Sequence, residues 1–339
     1  MVKISVKVNR RLPPLAVALR ISTTTGFSAC IRRWKPLQSG MTSTFFIDGM
    51  AVPADPLAPG LHIVSTPIGH LKDITLRALH VLASADSILA EDKRVTRTLL
   101  THYGIRTPLM SYHEHNAEAM RPVVMEALGE GRALALVSDA GTPLISDPGY
   151  KLINAAIDEG FAVSAAPGAS ALLTGLVLAG LPTDRFFFEG FLPAKTGERK
   201  RRIRELEAIP GTLVFYEAPH RLEETLADLA DVLGARAGAV ARELTKKFET
   251  LQRGPLPALH RHYAIDEKPR GEIVIMVAPP TETVAEIDDA AIDAAVIAAL
   301  ADHSARDAAT MVAARLGLPR RRVYARAMSL QPRLPRDED

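Results

Sequence analysis

Apolar residues in the middle of the chain alternate between short continuous runs and longer stretches with helical spacing. The short runs predict β-strands and the longer stretches predict α-helices. Such alternation is typical of an α/β domain with a mostly parallel sheet, which we predict over residues 58–181. Its predicted strands are Leu61–Ser65, Ser87–Ala90, Pro108–His113, Ala133–Val137 and Ala162–Ala166, and its predicted helices are Thr75–Ala83, Val95–Tyr103, Ala117–Leu128, Tyr150–Asp158 and Ser170–Ala179.

A second α/β domain with a mixed sheet is predicted over residues 182–281, because longer and more closely spaced strands follow Leu181–Asp184. Residues 288–330 predict a small helical domain that ends in a helix, a tight turn and a helix. The predicted strands of the second domain are Phe186–Phe191, Thr212–Tyr216, Gly238–Leu244 and Glu272–Val277, and the remaining predicted helices are Glu198–Glu207, Leu222–Leu233, Ala290–Ala301, Ala305–Leu316 and Arg320–Leu330.

Charge is distributed unevenly along the 339 residues. The formal net charge is +2, but residues 1–47 contain eight basic residues and no acidic residue. The rest of the chain is therefore acidic, and overall basicity does not argue for nucleic-acid binding. We predict that residues 1–57 form a disordered basic extension, with Met41 and Met50 as alternative starts. The single cysteine excludes an internal disulfide, and no long apolar run predicts a membrane span, so we expect a cytoplasmic protein.

The loop Ser138–Gly149 is the strongest candidate for a ligand site. It directly follows a predicted strand and combines two prolines and two glycines with short polar side chains that include Asp139, Thr142, Ser146 and Asp147. Open α/β sheets bind ligands at the carboxyl ends of their strands. Four other loops in equivalent positions are Thr66–Thr75, Glu91–Thr96, Ser111–Asn116 and Ala165–Ala171.

Each of these loops also has a simpler interpretation. Asp73 or Thr75 is a candidate helix cap, and the charges of Glu91–Arg94 are able to neutralise one another. His113 and His115 resemble a metal-ligand pair, but no third ligand accompanies them, so we predict hydrogen bonding and no metal. The usual nucleotide signatures are absent, because Gly129-Glu130-Gly131 ends a helix and there is no phosphate-binding loop or nucleophile elbow.

Basic residues concentrate in the second domain and at the end of the chain. Such clusters are typical of a partner with a phosphate backbone, although a salt-bridged helix is the alternative for the cluster near residue 200. We take as RNA-binding candidates the residues Arg199, Lys200, Arg201, Arg202, Arg221, Lys246, Arg320, Arg321 and Arg322.

Several motifs occur together in order and with natural spacing. These are Thr66-Pro67-Ile68-Gly69, Glu91–Arg94, Ser138–Gly149, Pro167–Ser170, Tyr216–Arg221 and Arg242–Lys246. In this combination the chain resembles the tetrapyrrole-methylase superfamily and, within it, the ribosomal RNA small-subunit methyltransferase I subfamily. It departs from the subfamily pattern at His70 and Lys93.

The resemblance implies a tetrapyrrole-methylase-like fold of two α/β domains with a small C-terminal helical domain. It further implies a homodimer that binds S-adenosylmethionine between the domains and methylates the ribose 2′-oxygen of a decoding-centre cytidine in the 16S rRNA of the small ribosomal subunit. The positions that match the cofactor-binding segments are Pro67, Gly141, Thr142, Pro143, Ser170 and Ala171.

The ribose hydroxyl is a weak nucleophile that benefits from a positioned base. The candidates are His113, Glu91, Asp92 and Glu217, which the sequence does not rank. Two other functions stay open at this stage: methylation of a tetrapyrrole or corrin ring, and non-catalytic binding of nucleic acid.

Overall fold

A computed structural model describes residues 43–146, 149–265, 270–280 and 289–330. These residues form two five-stranded sheets, a two-stranded hairpin and eleven α-helices. The strands are β1 (Thr44–Ile47), β2 (Met50–Pro53), β3 (Gly60–Val64), β4 (Ser87–Ala90), β5 (Leu109–Ser111), β6 (Ala133–Val137), β7 (Val163–Ala166), β8 (Phe186–Phe191), β9 (Thr212–Glu217), β10 (Ala237–Arg242), β11 (Thr250–Pro255) and β12 (Ile273–Val277). The helices are α1 (Leu76–Ser84), α2 (Lys93–His102), α3 (Ala117–Gly129), α4 (Tyr150–Asp158), α5 (Ala171–Ala179), α6 (Thr196–Leu206), α7 (Leu222–Leu233), α8 (Leu256–Ile265), α9 (Asp289–Leu300), α10 (Ala305–Leu316) and α11 (Arg320–Leu330).

The first sheet has the order β7-β3-β6-β4-β5, and every one of its neighbouring pairs is parallel. Strands β3, β4 and β6 are buried at every residue, as expected for central strands covered by helices on both faces. The predicted alternation is therefore confirmed, with element ends shifted by a few residues. Because all strands run the same way, the loops that follow them meet at one edge.

The second sheet has the order β11-β10-β12-β9-β8 and is mixed, with β8 and β9 parallel. Strand β10 ends at Arg242, two residues earlier than predicted. Glu243 and Thr245 adopt φ values of 53° and 64°, which no strand accommodates. The sequence did not predict β11 and α8, since Gly254, Pro255 and Pro257 interrupt both patterns. An edge strand such as β11 tolerates Gly254 and Pro255.

The last three helices pack around a small apolar core of their own, which includes Ile292, Val312 and Val323. The Ser304 hydroxyl caps the start of α10 by accepting from the Asp307 N–H at 3.2 Å. Gly317 ends that helix with a φ of 64°, the left-handed conformation that glycine adopts without strain. The predicted helix, tight turn and helix are confirmed.

The predicted disorder of residues 1–57 is wrong from residue 44 onward, while residues 1–42 lie outside the described part. Strands β1 and β2 form an antiparallel hairpin. Its turn is Asp48-Gly49, with φ values of 47° and 83°, which is the two-residue turn that Asp-Gly favours. Phe45 is fully buried and meets the His80 ring edge to face at 4.9 Å, so the hairpin is anchored to α1.

The chain divides into two compact units. The first contains the described residues up to 178 together with 241–251 and 271–274, and the second contains the other described segments. The first unit is therefore assembled from distant parts of the sequence. Among the residues described, no helix has the length and apolar character needed to cross a membrane.

Candidate functional site

Short hydroxyl side chains link three strand-end loops of the first sheet. We call Ser65, Thr66 and Thr142 the hydroxyl cluster. The Ser65 and Thr142 hydroxyls lie 3.0 Å apart, and the Thr142 hydroxyl donates to the Ala169 carbonyl at 3.2 Å. The Thr66 hydroxyl donates to the Ser138 carbonyl at 3.3 Å. The loops after β3, β6 and β7 are thus fixed to one another by small groups and backbone atoms.

Backbone pairing explains why glycine occupies position 141. Its N–H and carbonyl exchange hydrogen bonds with Thr66 at 3.0 and 2.8 Å, which adds an isolated bridge between the two loops. Gly141 has a φ of 78°, and a β-carbon there would lie 3.4 Å from Ile68 Cγ2 and 3.8 Å from the Ala169 carbonyl. The conformation, more than lack of space, therefore requires glycine. Asp147 and Pro148 of the same predicted loop lie outside the described residues.

The loop after β7 approaches the loop after β3 closely. A β-carbon on Gly168 would lie 2.9 Å from Ser65 Cβ, so only glycine fits at that contact. Ser170 sits at the start of α5, where its hydroxyl accepts from the Leu173 N–H at 3.4 Å. Pro167 and Gly168 are exposed, which leaves their backbone accessible to a ligand.

The loop after β3 is also held by residues from much later in the chain. The His70 N–H donates to the Thr245 hydroxyl at 3.2 Å, and the Thr245 N–H donates to Glu249 at 2.6 Å. A β-carbon on Gly69 would lie 2.7 Å from the Thr245 hydroxyl and would collide with the Lys246 side chain. In the same loop, Thr75 caps α1 by accepting from the Ala78 N–H at 3.2 Å, so the capping interpretation is confirmed.

Asp92, one of the four candidate bases, is engaged by a neighbouring residue. Asp92 caps α2 by accepting from the Arg94 N–H at 2.7 Å and pairs with the Arg94 guanidinium at 2.6 Å. The Arg94 side chain lowers the pKa of Asp92 to about 2, so this carboxylate is a poor proton acceptor at neutral pH. The neutralisation predicted for this loop is confirmed for that pair.

Glu217 is a structural residue. Its side chain is fully buried, and its two oxygens accept from the Thr225 hydroxyl at 2.6 Å and from the Ala218 N–H at 2.8 Å. A carboxylate held in this way joins β9 to α7, so its prediction as a catalytic base is wrong. No local pattern indicates this burial, because Glu217 ends an apolar strand at the position where a site residue is expected.

Glu91 and His113 remain at the ends of the paired strands β4 and β5. The His113 N–H donates to the Asn116 side chain at 2.8 Å, and the Asn116 amide donates to the Ser111 carbonyl at 3.0 Å. His113 Nδ1 is buried and has no hydrogen-bond partner in the described structure. Hydrogen bonds to the backbone therefore hold the loop that carries the His113 ring. The described residues offer no hydrogen-bond partner to the ring nitrogen Nδ1. Across the described ranges, no group of three or more His, Cys, Asp or Glu residues is arranged to hold a metal.

Most of the predicted RNA-binding residues of the second domain are engaged within the protein. Arg199 is fully buried and donates to Asp228 at 2.6 Å, so its prediction as an RNA contact is wrong. Lys200 pairs with Asp231 at 2.9 Å, and Arg202 pairs with Glu189 at 2.6 Å. Arg201 on the same helix is exposed. The alternative of a salt-bridged helix therefore describes most of α6.

Arg221 and Lys246 also make internal contacts. Arg221 donates to the Leu192 carbonyl at 2.7 Å, and Lys246 donates to Glu243 at 2.8 Å. In the C-terminal helices Arg322 pairs with Asp289 at 3.0 Å. Arg320, Arg321 and Arg322 are all exposed at the start of α11, and among the described residues only Arg322 of these three has an ion pair.

Comparison with known proteins identifies the family. A model described as Tetrapyrrole (Corrin/Porphyrin) Methylases matches residues 60–260, and one described as RsmI C-terminal HTH domain matches residues 286–331. A protein of Mesorhizobium japonicum named Ribosomal RNA small subunit methyltransferase I is 48% identical over 281 residues, which cover 83% of this chain and 95% of that protein. The chain belongs to this methyltransferase family.

Other relatives agree with the assignment. A protein of the same name from Xylella fastidiosa strain Temecula1 is 48% identical over 78% of this chain and 98% of its own length. The crystal structure of diphthine synthase matches 64% of this chain and 89% of its own chain, with a TM-score of 0.52 and 14% identity. That likeness concerns the fold alone. The expected two-domain tetrapyrrole-methylase-like fold with C-terminal helices is confirmed.

The sequence did not predict a cavity of about 540 Å³ beside the loop after β6. We call it the α3–α4 cavity, because Glu118 and Arg121 of α3 and Tyr150 and Lys151 of α4 line it together with Glu91 and Tyr112. Tyr112 is almost fully buried, and burial raises its pKa, so its hydroxyl keeps its proton at neutral pH. A cluster of ionisable residues at positions 112–121 was visible in the sequence, but their convergence with Tyr150 was not.

Proposed function

We propose that this protein transfers the methyl group of S-adenosylmethionine to the ribose 2′-oxygen of the decoding-centre cytidine, cytidine 1402, in the 16S rRNA of the small ribosomal subunit. The observation that carries the proposal is 48% identity over 95% of a relative named for methylation of this RNA subunit. A homodimer is part of the same proposal, and sedimentation equilibrium tests it by looking for twice the chain mass of 36.6 kDa.

The residues at the first-sheet edge fit a methyl donor of this kind. The hydroxyl cluster and the exposed backbone of Pro167 and Gly168 offer small polar contacts without bulky side chains. We assign cofactor contacts to Pro67, Gly141, Thr142, Pro143, Ser170 and Ala171. When bound, S-adenosylmethionine supplies a methyl group that is already activated by its sulfonium.

The protein's own contribution is then mainly positioning, which supplies roughly 7–11 kcal/mol in well-oriented reactions. Of the four candidate bases, Glu91 and His113 lie at the ends of the adjacent strands β4 and β5. We propose that one of them accepts the proton of the 2′-hydroxyl. For RNA binding we retain Arg201, Arg320 and Arg321, which are exposed.

The test uses purified protein, labelled S-adenosylmethionine and small ribosomal subunits from a strain that lacks this methylation. We expect label in the RNA and an alkali-resistant linkage at one cytidine. Subunits from the parent strain, whose site is already methylated, are the matched control and should accept no label. Transfer only to a tetrapyrrole or corrin would contradict the RNA substrate. Absence of cofactor binding by calorimetry would favour a non-catalytic nucleic-acid-binding protein.

A further inference from the structure

The α3–α4 cavity lies next to the proposed donor site without being part of it. The sheet order β7-β3-β6-β4-β5 puts the loops of β3 and β7 on one side of β6. The loops of β4 and β5, which supply Glu91 and Tyr112 to the cavity, lie on the other side. The loop after β6 borders both, with Thr142 in the hydroxyl cluster. The loop after β6 therefore links the cavity, which Ser146 and Gly149 line, to the hydroxyl cluster, which contains Thr142.

The walls of the cavity combine a carboxylate and a guanidinium on one helix face. Glu118 and Arg121 are three residues apart on α3, a spacing that puts side chains on the same face. The described residues give Glu118 no hydrogen bond or ion pair, with Arg121 or any other group. Arg121 Nε is buried and has no acceptor there, and the charge of the guanidinium counteracts the rise that burial causes in the pKa of Tyr112. The cavity thus presents a carboxylate beside a guanidinium, and the described residues give neither of them an ion pair.

This pattern matches the base of a cytidine. The hydrogen-bonding edge of cytosine carries an amine at position 4, which donates, followed by two acceptors, N3 and O2. A carboxylate is suited to accept from that amine, and an arginine carries five N–H donors. Uracil has an acceptor at position 4 and a donor at N3, so it would oppose both groups. The volume of about 540 Å³ lies in the range of small-molecule sites.

We propose that the α3–α4 cavity binds the base of the acceptor nucleotide and selects cytosine over uracil through Glu118 and Arg121. This inference rests on the proposed function. Tyr150, with 71% of its surface exposed at the rim, stacks on the extruded base. Lys151 beside it meets a backbone phosphate. Glu118 and Arg121 are then specificity residues that touch the substrate.

The experiment compares Glu118→Gln with wild-type protein on small subunits that carry either cytidine or uridine at the target position. We expect wild-type protein to prefer cytidine in kcat/KM and the variant to lose about tenfold of that preference, within the range known for a carboxylate or bidentate base contact. Glu126→Gln is the matched control, since Glu126 is exposed on the same helix and outside the cavity. Arg121→Lys keeps the charge and should also lower the preference.

A second readout does not depend on methyl transfer. Short RNAs with cytidine or uridine at the target are titrated by fluorescence anisotropy, and the difference between their affinities should shrink in Glu118→Gln but not in Glu126→Gln. An unchanged preference in a folded Glu118→Gln protein, or equal methylation of cytidine and uridine by wild-type protein, would overturn the cavity assignment and leave the RNA methyltransferase standing. No transfer to either substrate would overturn the proposed function itself.

Discussion

The hydroxyl cluster and helix α6 use their polar groups in opposite ways. The cluster joins three loops through neutral hydroxyls and backbone atoms, whereas α6 carries several charges that pair with carboxylates of its own unit. The exposed backbone of Pro167 and Gly168 lies beside the cluster, whereas Arg199 is fully buried. Charge density in a sequence therefore does not measure the charge that is available to a partner.

The largest loss of stability is expected at Arg199, the fully buried charged residue of α6. Replacing Arg199 with Met removes the closer of the two cations that pair with the buried Asp228 carboxylate and leaves only Lys200 at 3.5 Å. Breaking a buried pair in this way typically costs about 3–5 kcal/mol of unfolding free energy. Urea denaturation measures the loss. Arg201→Met, on the same helix but exposed, should change stability by less than about 0.5 kcal/mol. Equal losses in the two variants would mean that the Arg199 pair stabilises no more than a surface charge.

The second-largest effect distinguishes backbone strain from contact with the cofactor, by comparing two glycines of the first unit. Gly141 and Gly131 both have a φ of 78°, so alanine at either position costs about 1–2 kcal/mol in backbone strain. A β-carbon at Gly131 meets nothing within 4 Å, while one at Gly141 makes an ordinary van der Waals contact with Ile68 at 3.4 Å.

Calorimetry should therefore show a loss of S-adenosylmethionine affinity of about tenfold, or 1.4 kcal/mol, for Gly141→Ala only. If Gly131→Ala weakens binding equally, or neither variant does, then the loop after β6 does not form the cofactor site.

A smaller effect tests the hydroxyl cluster directly. Thr142→Val keeps the shape of the side chain but removes the hydrogen bond to the Ala169 carbonyl, which should cost about 1 kcal/mol. Thr98→Val is the control, because its hydroxyl donates to the Arg94 carbonyl on an exposed helix surface. Thermal unfolding of both variants gives the comparison. A greater loss for Thr98→Val would show that the cluster does not hold the loops together.

The smallest effect concerns pH. Because the pKa of Asp92 is lowered from 3.8 to about 2 in the folded protein, its contribution to stability is present above about pH 3.8 and is lost as the pH falls through 2. Arg94→Gln should return the pKa towards 3.8, as followed by NMR titration of the Asp92 carboxyl carbon. Arg97→Gln, an exposed neighbour on α2, should leave it near 2. A pKa that stays near 2 in Arg94→Gln would assign the shift to the backbone N–H alone.

Much of the fold was predictable from the sequence because its strands are buried and its helices have apolar faces. Strands β4, β6 and β8 and helices α4, α7, α10 and α11 begin and end at the predicted residues. The hairpin was missed although Asp48-Gly49 between apolar residues is a strong hairpin signal. The basic composition of residues 1–47 instead favours the prediction of a disordered extension.

The candidate site was predictable in its loops but not in its side chains. The parallel strands brought the expected loops to one edge, yet Glu217 and Arg199 turned out to be buried. Burial depends on partners far along the chain, such as Asp228 for Arg199, and no local pattern contains that information. The α3–α4 cavity was missed for the same reason, since it needs α3 and α4 to meet.

The hydrogen bond between His70 and Thr245 spans 175 positions, which affects how the protein emerges during translation. A nascent chain that has left the ribosome as far as α5 contains all five strands of the first sheet but not this tether. At about 5–20 residues per second, synthesis of the stretch from Ala179 to Thr245 takes roughly 3–13 seconds. The loop after β3 therefore acquires its final support late, after the sheet from which it extends has already had time to form.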